Sequence, residues 1–94
     1  MANKYQVVMS NQFMRDYRLA SRRGYDMALL DAVTYILVVG GTLPEHYHVH
    51  ILTGKFTGCY ECHLAPDWLL IYKIFESQLI LLFMRTGSHS DLFK

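Results

Sequence analysis

Pro66 interrupts a stretch that would otherwise read as one long strand. Apolar and β-prone residues fill positions 59–64 before it and 68–75 after it. Proline has no N–H for a sheet ladder and fixes its own φ, so a central strand cannot pass through it. The chain must turn. That turn predicts one strand over 59–64 and another over 68–75, with His63, Asp67 and Trp68 gathered at the corner between them. Glu76, Ser77 and Gln78 form the next turn, and residues 79–85 a last strand. The last two runs are almost continuously apolar, the pattern of a sheet covered on both faces.

The N-terminal part reads differently. Residues 5–9 are short and β-prone, a first strand. Ser10 or Asn11 can cap a helix. Phe13, Tyr17 and Ala20 then recur at helical spacing, while Asp16, Arg18, Arg22 and Arg23 fall mainly off that stripe; an amphipathic helix is predicted over 11–22. Gly24 stops it. Asp26 caps a second helix whose stripe is Met27, Leu30, Val33 and Leu37, closed by Gly40 and Gly41. The short connection predicts an antiparallel helical hairpin. The expected fold is α+β, ordered β-α-α-β-β-β, with an antiparallel sheet packed against the N-terminal hairpin. The hairpin covers one sheet face, and the other invites a protein partner. Residues 1–94 are read as a single domain.

Charge narrows the function. A formal charge of +1 is less than an autonomous nucleic-acid binder usually carries. RNA chemistry would then need locally placed charge, or a partner that holds the substrate. Arg15, Arg18, Arg22 and Arg23 are a solvated helix face or a face for phosphates. No stretch approaches the roughly 20 apolar residues of a membrane span. The first residues lack a signal-peptide apolar region, so a cytoplasmic location is expected.

Several motifs invite chemistry. His46, His48 and His50 alternate, and in an extended segment would share one face. No Cys or carboxylate stands near them at a familiar ligand spacing, so no metal site is expected. His46 and His48 read as solvated loop histidines. Cys59 and Cys62 form a C-x-x-C string, but residues three apart on a strand point to opposite faces. They read as free thiols, without disulfide or zinc. Gly54 and Gly58 mark bends; without a Gly-Lys-Ser/Thr ending they are no phosphate loop.

Two longer patterns carry a resemblance. They are Glu61-x-His63-x-x-Pro66-Asp67-Trp68-x-Leu70-Ile71-Tyr72, preceded by Leu52-x-Gly54 and Gly58, and Arg85-Thr86-Gly87-Ser88-His89-Ser90-x-Leu92-Phe93. With the element order, they resemble the RelE/ParE superfamily of bacterial toxins, in particular its YafQ-type messenger-RNA interferases, over nearly the whole chain. The resemblance implies a RelE-like fold. It also implies ribosome-dependent cleavage of messenger RNA without a cofactor, and neutralisation by a cognate antitoxin in a hetero-oligomer. The matching catalytic positions are His50, His63, Asp67 and His89. Arg85 falls beside the substrate phosphate and Phe93 beside the bases. Lys55 and Trp68 complete the expected substrate-binding set, although Trp68 also suits a strand-start anchor. Where the family often has Asp before and Pro after the first histidine, this chain has Val49 and Ile51. His48 is the alternative for that role.

These residue types suit metal-free RNA cleavage. The ribose 2′-OH serves as internal nucleophile. A base takes its proton, an acid protonates the departing 5′ oxygen, and positive charge steadies the phosphorane-like transition state. Imidazole can be either acid or base near neutral pH. Asp67 could take the hydroxyl proton or orient His63. Arg85 can grip two phosphate oxygens, and Phe93 can stack on an unpaired base. The alternatives are a ParE-like toxin acting on DNA gyrase and a histidine-rich metal-binding module.

Overall fold

The computed structural model describes residues 2–93. The element order is β1 (Gln6–Met9), α1 (Asn11–Arg22), α2 (Met27–Val38), β2 (His50–Ile51), β3 (Tyr60–Ala65), β4 (Trp68–Phe75), β5 (Ile80–Gly87) and α3 (His89–Leu92). Both predicted caps form. The Ser10 hydroxyl accepts from Phe13 N–H at the start of α1, and the Asp26 carboxylate accepts from Ala28 N–H at the start of α2.

The sheet order is β1-β5-β4-β3-β2. The pairs from β2 to β5 are antiparallel, as expected of strands joined by short turns. β1 is the exception: it returns alongside β5 in parallel, after the excursion through the helices. The short β2 and α3 lie in stretches whose sequence carries no regular period. Four helical residues do not hold together unaided. α3 exists because a capping box closes its first turn: Ser88 Oγ accepts from Asp91 N–H, and Asp91 accepts from Ser88 N–H.

Alternation along β3 and β4 divides the core. Cys62, Leu64, Trp68, Leu70 and Tyr72 join Phe13, Ala20, Leu30, Val33 and Leu37 under the helices. Leu69 and Ile71 point the other way and pack with Phe56, Cys59 and Leu92. The second face is therefore partly covered by the chain's own loop and α3. The two thiols fall in different clusters, and both are free. Burial pushes the Cys62 thiol up to about 12 and raises that of Cys59.

Asp16 departs from the expectation that it lies off the α1 stripe. It is buried between Phe13 and Ala20, while Tyr17 is partly exposed. Its carboxylate is satisfied from far along the chain, by Arg85 Nε (2.7 Å), Arg85 Nη2 (3.2 Å) and Thr86 N–H (3.2 Å). Gln12 adds a fourth donor at 3.0 Å. A carboxylate can occupy a core position when donors replace its water.

Candidate active site

Pro66 and Asp67 form the two-residue turn between β3 and β4, with one residue, Leu64, left unmatched in the register. The turn brings Asp67 up to the first residue of α3. Asp67 Oδ1 accepts from His89 N–H at 3.0 Å and from His89 Nδ1 at 2.6 Å. A carboxylate only accepts, so the ring proton sits on Nδ1, and Nε2 is left for other chemistry. These contacts, the backbone N–H first and the ring second, hold the Asp67 carboxyl below its ordinary range. Asp67 thus orients His89 and not His63; orienting His63 was one of the two roles the sequence left open for it.

His63 stands on β3, with its ring 5.7 Å from that of His89 and 5.5 Å from that of His48. Two residues earlier on the same face of β3 is Glu61, a buried carboxylate. Its Oε1 lies 3.2 Å from His50 Nε2 and 3.8 Å from His63 Nε2. The two-residue β2 creates this contact, because His50 is paired directly across from Glu61. Glu61 was quoted in the sequence motif without a role. Its alternation with His63 was the available signal, since residues i and i+2 on a strand share a face.

His50 is held from both ends. Nδ1 lies 3.1 Å from the His48 carbonyl and Nε2 faces Glu61. Both neighbours are acceptors, an arrangement that a doubly protonated imidazole satisfies. The 46–50 segment is not the extended strand that would align three histidines. Glu45–Tyr47 is a 3-10 turn, and His48 ends it in the left-handed region (φ 51°, ψ 51°). That conformation turns the His48 ring onto His63 and its carbonyl onto His50, so His48 and His50 both join the cluster. Among the described residues, no group of three or more His, Cys, Asp or Glu is arranged to hold a metal ion.

The expected substrate-binding residues are more scattered. Arg85 is tied to Asp16 through Nε and Nη2 and opens with it on a cavity of about 240 Å³ shared with Arg23 and Asp91. Trp68 is buried, edge-on to Tyr25 at 5.0 Å, and its Nε1 has no hydrogen-bond partner. Phe93 is exposed and meets Phe56 edge-on at 6.0 Å. Lys55 is exposed on the Gly54–Phe56 turn, with Nζ 5.4 Å from the Phe56 ring centroid. Just past α1, Arg23 reaches across to Asp91, with Nη1 at 2.7 Å from Oδ2.

A mostly antiparallel sheet under two N-terminal helices, with a histidine–carboxylate cluster at the β3–β4 corner, defines a RelE-like α+β domain. The family model for YafQ, described as the bacterial toxin of a type II toxin–antitoxin system, matches residues 5–94, and the chain belongs to that family. The mRNA interferase toxin YafQ of Escherichia coli K12 is 39% identical over 85 residues, covering 89% of this chain and 90% of the relative. The crystal structure of YafQ from E. coli BL21(DE3) superposes with a TM-score of 0.89 at 35% identity, over 96% of this chain and 99% of that one. The toxin in the E. coli DinJ–YafQ toxin–antitoxin complex gives 0.88 at 36% identity, over 97% and 99%. A metal-bound toxin from Helicobacter pylori gives 0.88 at 36%, over 95% and 99%.

Proposed function

We propose that this chain is a messenger-RNA endoribonuclease toxin that cuts message on the translating ribosome and is held inactive by a cognate antitoxin. The observation that carries the chemistry is the meeting of His63 with the Asp67–His89 pair, while Glu61 binds His50 alongside. Family membership and the interferase activity named for the E. coli relative support the substrate class.

The reaction forms a bond from the 2′ oxygen to phosphorus and breaks the bond from phosphorus to the 5′ oxygen. A proton leaves the 2′-OH, and another is delivered to the departing oxygen. We assign the acid to His89: with Nδ1–H held by Asp67, the imidazolium form carries a second proton on Nε2 that can pass to the departing oxygen. His63, across the gap, is assigned the base. His50, set between two acceptors, supplies positive charge to the phosphorane-like transition state. Arg85, tied to Asp16, is assigned a bracing role between α1 and β5. Phe93, exposed at the end of α3, is placed to stack on a base. The ribosome's hold on the message fits the modest net charge and a cytoplasmic site of action.

The test is inducible expression of wild type and His89→Ala with primer extension on a reporter message. Growth arrest and cleavage are expected for wild type and not for the variant. Equal cleavage by both would remove His89 from the chemistry.

A further inference from the structure

A groove of about 810 Å³ opens beside the cluster, between α2, the 45–48 turn and the end of β3. His63 is among the residues that line it. Leu29 and Leu64 supply apolar lining, and Tyr47 and His48 supply rings. Its lining holds no Lys, Arg, Asp or Glu. A phosphate would find no fixed countercharge there, whereas a flat uncharged ring would find apolar surface and ring faces.

Rings also meet in two sets beside it. His89 meets His63, His63 meets His48, and His46 packs on Tyr47 at 4.2 Å one residue further along the turn. Successive rings leading from a scissile site are the arrangement on which proteins splay and stack unpaired bases. The volume suits a single small aromatic ligand within the usual range of such sites. His48 is held in a left-handed conformation. For a non-glycine residue this costs energy, and it persists where the surroundings over-determine it.

We propose that this groove is the subsite for the nucleobase adjoining the scissile phosphate. The proposal rests on the ribonuclease reading above. Tyr47 and Leu29 are its specificity-determining residues: Tyr47 supplies a stacking face and Leu29 the width. Neither belongs to the proton-transfer cluster. Leu29 is 39% exposed, so its replacement leaves the core intact.

The experiment uses ribosomes programmed with a short message that is intact or carries one abasic nucleotide on either side of the cut. Single-turnover cleavage is followed at rising toxin concentration. For wild type, an abasic nucleotide on one side should lower kcat/KM by about tenfold, within the range for one stacked base. Tyr47→Ala and Leu29→Trp should lose a similar factor on intact message and be insensitive to that abasic site. Tyr47→Phe should behave as wild type. Circular dichroism controls for folding, and Leu29→Trp serves if Tyr47→Ala is unstable. Equal wild-type cleavage of intact and abasic messages overturns the proposal. So does full activity of Leu29→Trp, and if that variant also escapes neutralisation by antitoxin, the groove belongs to a protein partner. Failure of wild type to cut any programmed message removes the ribonuclease reading itself, and the subsite with it.

Discussion

Asp67 Oδ1 accepts two hydrogen bonds from one residue, His89, through its backbone N–H at 3.0 Å and its ring Nδ1 at 2.6 Å. The same oxygen therefore fixes where α3 begins and which way its first side chain faces. Asp67→Asn can still offer its amide oxygen to both donors, but it removes the carboxylate charge from beside the ring. Cleavage is expected to fall by about 10²–10⁴-fold, the scale of a lost general acid or base. His89→Ala should fall as far, and the double variant no further, because the two act as one unit. Additive losses in single-turnover assays would show that they work independently.

Glu61 is the buried carboxylate behind His50 and His63. Glu61→Gln keeps its volume and removes its charge. The two imidazoles lose the anion that sets their positions, and a shift of about 1 Å costs on the order of a hundredfold in rate. Thermal unfolding should change little by comparison. Activity within twofold of wild type would show that the histidines are held by the backbone alone.

The Asp16–Arg85 pair should matter to stability more than to catalysis. Arg85→Ala leaves the Asp16 carboxylate with fewer donors in a buried position. Breaking one side of a buried pair costs about 3–5 kcal/mol. The partly open Arg85 end puts this case at the lower limit, and the measurement is urea unfolding. The double variant Asp16→Leu with Arg85→Met removes both charges and is expected to recover much of that loss. An Arg85→Ala protein as stable as wild type that cannot cut RNA would instead return Arg85 to the phosphate-gripping role.

Asp91 ties α3 to the end of α1. The Arg23 guanidinium, and next the Ser88 N–H, hold its carboxyl well below the usual carboxylate range. A depressed folded value means that the ionised form stabilises the fold above the unfolded-chain value of about 4. The contribution is lost as pH falls through the folded value. Asp67, also lowered, acts in the same direction. Acidification below about pH 4 should therefore lower the protection of the Leu92 and Phe93 amides, measured against their intrinsic exchange rates at each pH, before the sheet opens. Arg23→Ala should remove most of the Asp91 share and leave that of Asp67. Arg23 and Asp91 side chains are 39% and 26% exposed, so water screens the pair and its share of the stability is small. Exchange in α3 that ignores both pH and the substitution would mean that Leu92 burial alone holds it.

Much of the architecture was legible in the chain itself. Apolar periodicity separated two helices from the long strands, because 3.6-residue and two-residue repeats bury different positions. Ser10 and Asp26 marked where the helices start, since capping is a contact between neighbours. Pro66 marked the corner for the same reason. The C-x-x-C string resolved into two thiols in different clusters, as expected, although Cys59 stands just before β3 and not on it. The histidines and Asp67 were recognisable by residue type and by the resemblance of their motifs.

Tertiary structure decided who pairs with whom. Asp16 looked like a surface residue, because it falls off the apolar stripe of its helix; the cation that holds it is Arg85, 69 residues away. The resemblance had put Arg85 beside the substrate phosphate. Asp67 turned to His89 across 22 residues and not to nearby His63. β1 joined β5 in parallel, and β2 placed His50 opposite Glu61, through contacts that no local period encodes. Local sequence sets backbone conformation and the side each residue faces. The partner of a buried charge is set by which distant elements the sheet and the core bring within about 3 Å, and that is known only when the chain has closed on itself.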